Sequence, residues 1–193
     1  MNYKILVLLI AIISFNNVQS QFRKIDTTVK VGKAGYKIIC NNKSADKNLA
    51  SLKPIGFESD AREMEFYIKG RIKTVQIDDF NNDGFPDLII FSTGGDENPM
   101  EHINIYAIAS VENKSYAPIY FPDILDDAKL RDGYKGQDQF SLMEGTIFRT
   151  FPIFKPDDAA DKPTGGKRVV QYKMVSEEGI FKFKAVRTYE IKQ

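Results

Sequence analysis

The stretch Asp79-Phe80-Asn81-Asn82-Asp83-Gly84-Phe85-Pro86-Asp87, followed at once by Leu88-Ile89-Ile90-Phe91, constrains this chain more than any other. Oxygen side chains stand at relative positions 1, 3, 5 and 9 around a glycine at position 6. A short loop with that spacing can wrap Ca²⁺: carboxylates supply hard oxygens, the carbonyl of Phe85 can add one, and Gly84 permits the sharp turn. Ca²⁺ is therefore the cofactor the residues suggest, with Asp79, Asn81, Asp83, Phe85 and Asp87 as its ligands. An EF-hand would need a bidentate Glu at position 12, where Ile90 stands. Ile72, Val75 and Ile77 precede the loop and an apolar run follows it, so both flanks read as strands. The competing expectation is a plain tight turn in which Asn81 and Asp83 bond their own backbone. Against it, three aspartates this close repel one another when no cation is present.

The first residues point to export. Lys4 is the sole charge ahead of a run from Ile5 to Phe15 that is apolar except for Ser14, and Val18-Gln19-Ser20 offers small residues where a signal peptidase reads. A signal peptide over residues 1–20 is expected, and with it a periplasmic or secreted location. A membrane anchor would need about 18 or more apolar residues. No later segment approaches that length, so no membrane insertion is expected after cleavage. Of 27 basic and 26 acidic residues, only Lys4 lies in the leader, which leaves the rest balanced and argues against nucleic acid as a partner. Cys40 is the single cysteine, so stability must come from a hydrophobic core and not from an internal disulfide. A buried strand thiol is the expectation for it.

Along residues 21–193 the pattern is that of a single domain, mainly antiparallel β (a β-sandwich or barrel-like sheet) with one short helix. Val29–Val31 and Tyr36–Ile39 bracket Gly32-Lys33-Ala34-Gly35 as a first hairpin. Asn41 to Leu52 reads as a polar loop. Met64–Ile68 and Arg71–Ile77 read as a second strand pair around Gly70. Ile103–Ile108 and Thr146–Phe154 are further strands. A partial apolar stripe (Ile124, Leu125, Ala128, Leu130) predicts the helix between Pro122 and Arg131. The clearest hairpin is the last: Val169–Met174, a turn at Ser176-Glu177-Glu178-Gly179, then Ile180–Ile191, with Phe181 and Phe183 on one face and lysines on the other.

Catalytic parts are scarce, and no catalytic residue is assigned. His102 stands alone, no His/Cys cluster suits zinc, and no glycine-rich loop has phosphate-binding spacing. A pair of carboxylates would suffice for a glycosidase, but with 26 acids in the chain that requirement discriminates nothing. Two loops stand out instead. Ser92-Thr93-Gly94-Gly95-Asp96-Glu97-Asn98-Pro99 leaves a strand directly after the acidic turn and is expected to project from the sheet, with Ser92, Thr93, Gly94, Gly95 and Asp96 as a partner-binding loop. Lys155 to Gly166 is long, polar and holds prolines near both ends, which suits either a binding edge or a connector.

The strand–acidic loop–strand unit resembles one integrin-type (FG-GAP) or bacterial VCBS-type calcium repeat, but the chain holds one copy, and a closed propeller needs about 4 or more blades of about 40–50 residues. Read in order, the whole mature chain resembles the periplasmic inhibitors of invertebrate-type (I-type) lysozyme. The likeness rests on the exported N-terminus, Val75 to Ile90, Gly133-Tyr134-Lys135-Gly136-Gln137-Asp138-Gln139-Phe140, Phe151 to Ala159, Pro163-Thr164-Gly165-Gly166, and a hairpin beginning Gln171-Tyr172-Lys173. The resemblance implies a non-enzymatic β protein that inserts a Ser/Gly loop into the cleft of a lysozyme or other glycan hydrolase, and by position that loop is Ser92 to Gly95. The family loop has a second serine after its glycine and an aromatic soon after, whereas this chain continues Gly95-Asp96-Glu97-Asn98-Pro99. Those carboxylates would be repelled by a hydrolase's catalytic acids unless basic groups line the rim. A calcium-stabilised carbohydrate- or surface-binding module is the alternative expectation, and a homodimer is left open.

Overall fold

A computed structural model describes residues 24–58, 62–94 and 103–192. The expected leader, Gly95, Asp96 and His102 lie outside these. The described residues are all-β. Strands β1 (Ile25–Val31), β2 (Ala34–Cys40), β3 (Lys47–Ile55) and β4 (Met64–Lys69) make an antiparallel sheet in chain order. A second sheet takes β5 (Arg71–Asp78), β6 (Asp87–Thr93), β7 (Ile103–Val111) and β8 (Ser115–Tyr120) as one half. Its other half is β9 (Gln139–Met143), β10 (Thr146–Pro152), β11 (Lys167–Glu177) and β12 (Ile180–Ile191). The spatial order is β5-β6-β7-β8-β12-β11-β10-β9, and the sheet curls into a nearly closed barrel. Only the β8–β12 pairing is parallel among these, through Phe181 opposite Ile119 and Lys182 opposite Tyr120.

The run Leu88-Ile89-Ile90-Phe91 explains the layering. A strand covered on one face alternates apolar and polar residues, whereas a continuous apolar run must be covered on both. Leu88 and Ile90 face the four-stranded sheet and pack with Tyr36, Ile38, Leu52 and Ile68. Ile89 and Phe91 face the barrel interior with Phe151, Tyr172 and Phe183. One strand thus serves two cores, and Cys40 lies buried in the first of them as expected.

Three expectations change. Asn41–Leu52 is not all loop, because β3 begins at Lys47 and buries Asn48, Ala50 and Leu52 at alternate positions. Its lysines, asparagine and proline carry little strand propensity, and pairing on both sides supplies what propensity lacks. β4 and β5 are both strands, but they do not pair. Gly70, at φ +73°, turns the chain from one sheet into the other, and a Cβ there would stand 2.2 Å from the Thr93 carbonyl oxygen. The helix expected between Pro122 and Arg131 is a single 3₁₀ turn at Ile124–Asp126. Asp123 caps it, and Asp127 is already extended, its carboxylate accepting from the amides of Lys129 and Leu130. Aspartates that bond nearby amides favour turns over helix continuation.

The tail hairpin stands as expected, with a tighter connection at Glu178-Gly179 and Phe183 fully buried. The Lys155–Gly166 connection is not slack. The Asp158 carboxylate gathers the Lys155 amide, the Thr164 amide and the Thr164 hydroxyl at 2.7–2.8 Å.

Candidate functional site

The acidic loop joins β5 to β6, and its side chains hydrogen-bond mainly to the loop's own amides. Asp79 accepts from the amides of Asp83 (3.0 Å) and Gly84 (2.8 Å). Asn81 Oδ1 accepts from the Asp83 amide, while Asp83 accepts from the Phe85 amide and from the Asn81 side-chain amide. Asp87 is fully buried and bonds the amides of Phe80 (2.9 Å) and Ser110 (2.8 Å), one to each oxygen. Every side-chain oxygen of Asp79, Asn81, Asp83 and Asp87 therefore accepts a hydrogen bond within the chain. Asn82 and Gly84 supply the positive φ angles the turn requires.

Ca²⁺ takes 6–8 oxygens in one shell, whereas the side-chain oxygens of this set are engaged in hydrogen bonds within the chain. Asp87 is committed to the core, Asp83 faces the Asn81 amide nitrogen, and no three acidic, His or Cys side chains among the described residues converge on a common point. The arrangement is that of a hydrogen-bonded staple. It ties β6 to β7 through Ser110, and its neighbour Asp78 reaches the Gly145 amide of the β9–β10 turn at 3.1 Å. Phe80 drops into the barrel core edge-on to Phe183. Burial pushes the Asp87 carboxyl up to about 7, the two amides opposing and the charges of Asp83 and Asp79 adding.

The expected partner loop divides at Gly94. Ser92 and Thr93 are the last residues of β6, not loop, and Ser92 is buried with its hydroxyl donating to the Lys69 carbonyl at 2.7 Å. The apolar cover on both faces of β6 carries the strand past Phe91. Gly94, at φ +99°, lies so close to Ala45 that a Cβ would meet its carbonyl oxygen at 2.6 Å. Gly95 and Asp96 lie outside the described residues. Thr93 pairs with Ile103, and the Asn104 side-chain amide donates to the Gly94 carbonyl at 3.3 Å. Both ends of the 95–102 connection are thus pinned one strand spacing apart.

Two buried arginines organise the barrel interior. Arg149 on β10 grips Asp138 in a two-toothed pair, Nε to Oδ1 at 2.7 Å and Nη2 to Oδ2 at 2.9 Å. Their side chains are 5% and 0% exposed. The Tyr134 hydroxyl closes the triangle, donating to Asp138 at 2.6 Å and accepting from Arg149 Nη2 at 2.8 Å. Arg168 on β11 donates to the carbonyls of Lys129, Leu130 and Asp132 and pairs with Glu190, which holds the 121–138 crossing in place. The buried Tyr172 hydroxyl has no well-formed hydrogen bond among the described residues but lies beside the Arg149 guanidinium; burial raises its pKa and the arginine opposes. The sequence carried a signal for these arginines: each sits at an inward position of an alternating strand, Ile147-x-Arg149-x-Phe151 and Arg168-x-Val170-x-Tyr172.

A cavity of about 300 Å³ opens beside Arg149, walled by Ile103–Tyr106 of β7 on one side and Tyr120–Asp123 on the other. No family model matches the chain, and neither a curated protein nor a solved structure matches it.

Proposed function

We propose that this chain is an exported, non-enzymatic binding protein of the lysozyme-inhibitor type, which offers the connection between β6 and β7 to a glycan hydrolase. The observation that supports this reading is the pinned root of that connection. Ser92, Thr93, Gly94, Ile103 and Asn104 are held by two sheets and by the Gly70 and Ala45 backbone. A binding segment gains affinity when its ends are pre-organised, because less conformational freedom is lost on association. Asp96, Glu97 and Glu101 make the segment acidic, so the partner that fits has basic groups at the rim of its cleft. The acidic loop serves this role indirectly, fixing the start of the strand that leads to the root.

The test is a titration of I-type lysozyme, acting on a cell-wall suspension, with the purified mature chain. Activity should fall in proportion to the amount added until the two are equimolar. The Asp96→Lys/Glu97→Lys chain should inhibit at least tenfold less well. Full lysozyme activity at an excess of wild-type chain would sink the reading for this partner, and equal inhibition by the charge-reversed chain would remove the loop from it.

A further inference from the structure

β8 ends before β7 does, and that mismatch leaves a strand edge open inside a cavity. The last β7–β8 pair is Ala107 opposite Ile119, so among the described residues Ile103 to Tyr106 pair with β6 alone. In an antiparallel strand both backbone groups of a residue point to the same neighbour, and successive residues alternate. The Ser110 amide reaches Asp87 at the head of β6, so even-numbered β7 residues address β6. Pro118, which lacks an N–H, accordingly stands opposite even-numbered Ile108. The odd-numbered Ile103 and Ile105 therefore aim their N–H and C=O groups at the place β8 has vacated.

That place is the cavity of about 300 Å³ between Ile103–Tyr106 and Tyr120–Asp123. Arg149 lines it. Its Nε and Nη2 are engaged by Asp138 and Tyr134 and the Tyr172 hydroxyl lies beside the guanidinium, so of the two N–H groups on Nη1 one is left to offer, on a side chain 5% exposed. Asp123, whose Oδ1 caps the 3₁₀ turn, lines the cavity too.

Unpaired edges invite another strand, and proteins usually blunt them with charges, bulges or proline. β12 shows such blunting. Beyond Lys182 it too has outrun β8, but that length carries Lys184, Arg187 and Glu190, and its register shifts between Gln171 and Tyr172 of β11. Ile103-Asn104-Ile105-Tyr106 carries no charge, no proline and no shift against β6. We infer that this edge is a docking site for an extended peptide of about three to four residues. The peptide adds to β7 as a strand through Ile103 and Ile105, lies against Tyr120 and Phe121, and sets a hydrogen-bond-accepting side chain over Arg149 Nη1. Backbone bonds to the edge hold the peptide, and the arginine and the aromatic wall select its side chains. The site does not depend on the lysozyme reading, since no hydrolase is needed to fill it.

The experiment selects binders to the mature chain from a linear heptapeptide phage library and remakes the best as a synthetic peptide. Binding with a Kd of order 1–100 μM is expected. With the peptide bound, the amides of Ile103 and Ile105 should exchange at least tenfold more slowly, while those of Asn104 and Tyr106, already bonded to β6, keep their rates. N-methylation along the peptide should abolish binding at alternate residues only. Failure to select any peptide, protection confined to other residues, or N-methyl effects without a period of two would overturn the proposal. So would protection of Ile103 and Ile105 by tri-N-acetylchitotriose when no peptide binds, which would make the cavity a glycan site.

Discussion

Breaking the buried pair in the barrel tests whether the interior is organised as described. Asp138→Ala removes both oxygens that Arg149 grips at 2.7 and 2.9 Å and leaves a guanidinium on a side chain 5% exposed. An uncompensated buried charge costs about 3–5 kcal/mol, a large part of the roughly 5–15 kcal/mol that holds a domain together. Arg149→Met strands the carboxylate with the Tyr134 hydroxyl as its remaining partner, at a similar cost. Replacing both removes the two charges together. The remaining loss, an unpaired tyrosine hydroxyl and some imperfect packing, comes to about 2–3 kcal/mol. The double variant should therefore be more stable than either single one, with a coupling of at least about 2 kcal/mol. Urea unfolding at pH 7, followed by circular dichroism, measures all four corners of the cycle. Single-variant losses below about 1 kcal/mol, or losses that add to within about 0.5 kcal/mol, would refute the buried-pair account.

Three further outcomes follow from the loop and the sheet switch. Gly70→Ala places a Cβ 2.2 Å from the Thr93 carbonyl oxygen at φ +73°, so a loss of at least about 2 kcal/mol is expected in the same urea assay. Asp87 has its carboxyl raised by burial from 3.8 to about 7, so the folded state keeps a proton that the unfolded state releases between those values. Its contribution is complete below pH 4 and is lost as pH rises toward 7, by no more than about 4 kcal/mol, and Asp87→Asn should flatten that part of the stability–pH curve. Because every side-chain oxygen of Asp79, Asn81, Asp83 and Asp87 accepts a hydrogen bond within the chain, the melting temperature in 5 mM CaCl₂ should match that in EDTA to within about 1 °C. A filled site at a hundredfold excess over Kd would add about 2.7 kcal/mol and shift it by several degrees.

Much of the fold was legible where one residue type dominated a strand face. Phe181 and Phe183 marked the inner face of β12, and Leu88 to Phe91 marked a strand, whose cover on both sides the structure adds. β3 was hidden because two of its three inward residues, Asn48 and Ala50, are polar or small, and Lys47, Ser51 and Lys53 around them read as loop. The β4–β5 error has a different cause. A glycine between two strand-like segments serves equally for a hairpin and for a change of sheet, and only the long-range contact with Thr93 decides between them. In the acidic loop the spacing was legible but the destination of each oxygen was not. Asp87 could be placed in a ligand set from its position, yet it is buried because Ser110, 23 residues on, needs an acceptor. The Arg149–Asp138–Tyr134 triangle depends on a crossing of the barrel that no local pattern announces, although arginines at inward strand positions hint that such a partner exists.

Amide exchange of residues 21–193, alone and saturated with I-type lysozyme, tests the proposed function most directly. The account predicts that protection gained in the complex centres on residues 95–102 and their anchors at Gly94 and Ile103, with the Asp79–Asp87 loop unchanged. Protection centred on the acidic loop or on Lys155–Gly166, or no protection anywhere, would contradict it.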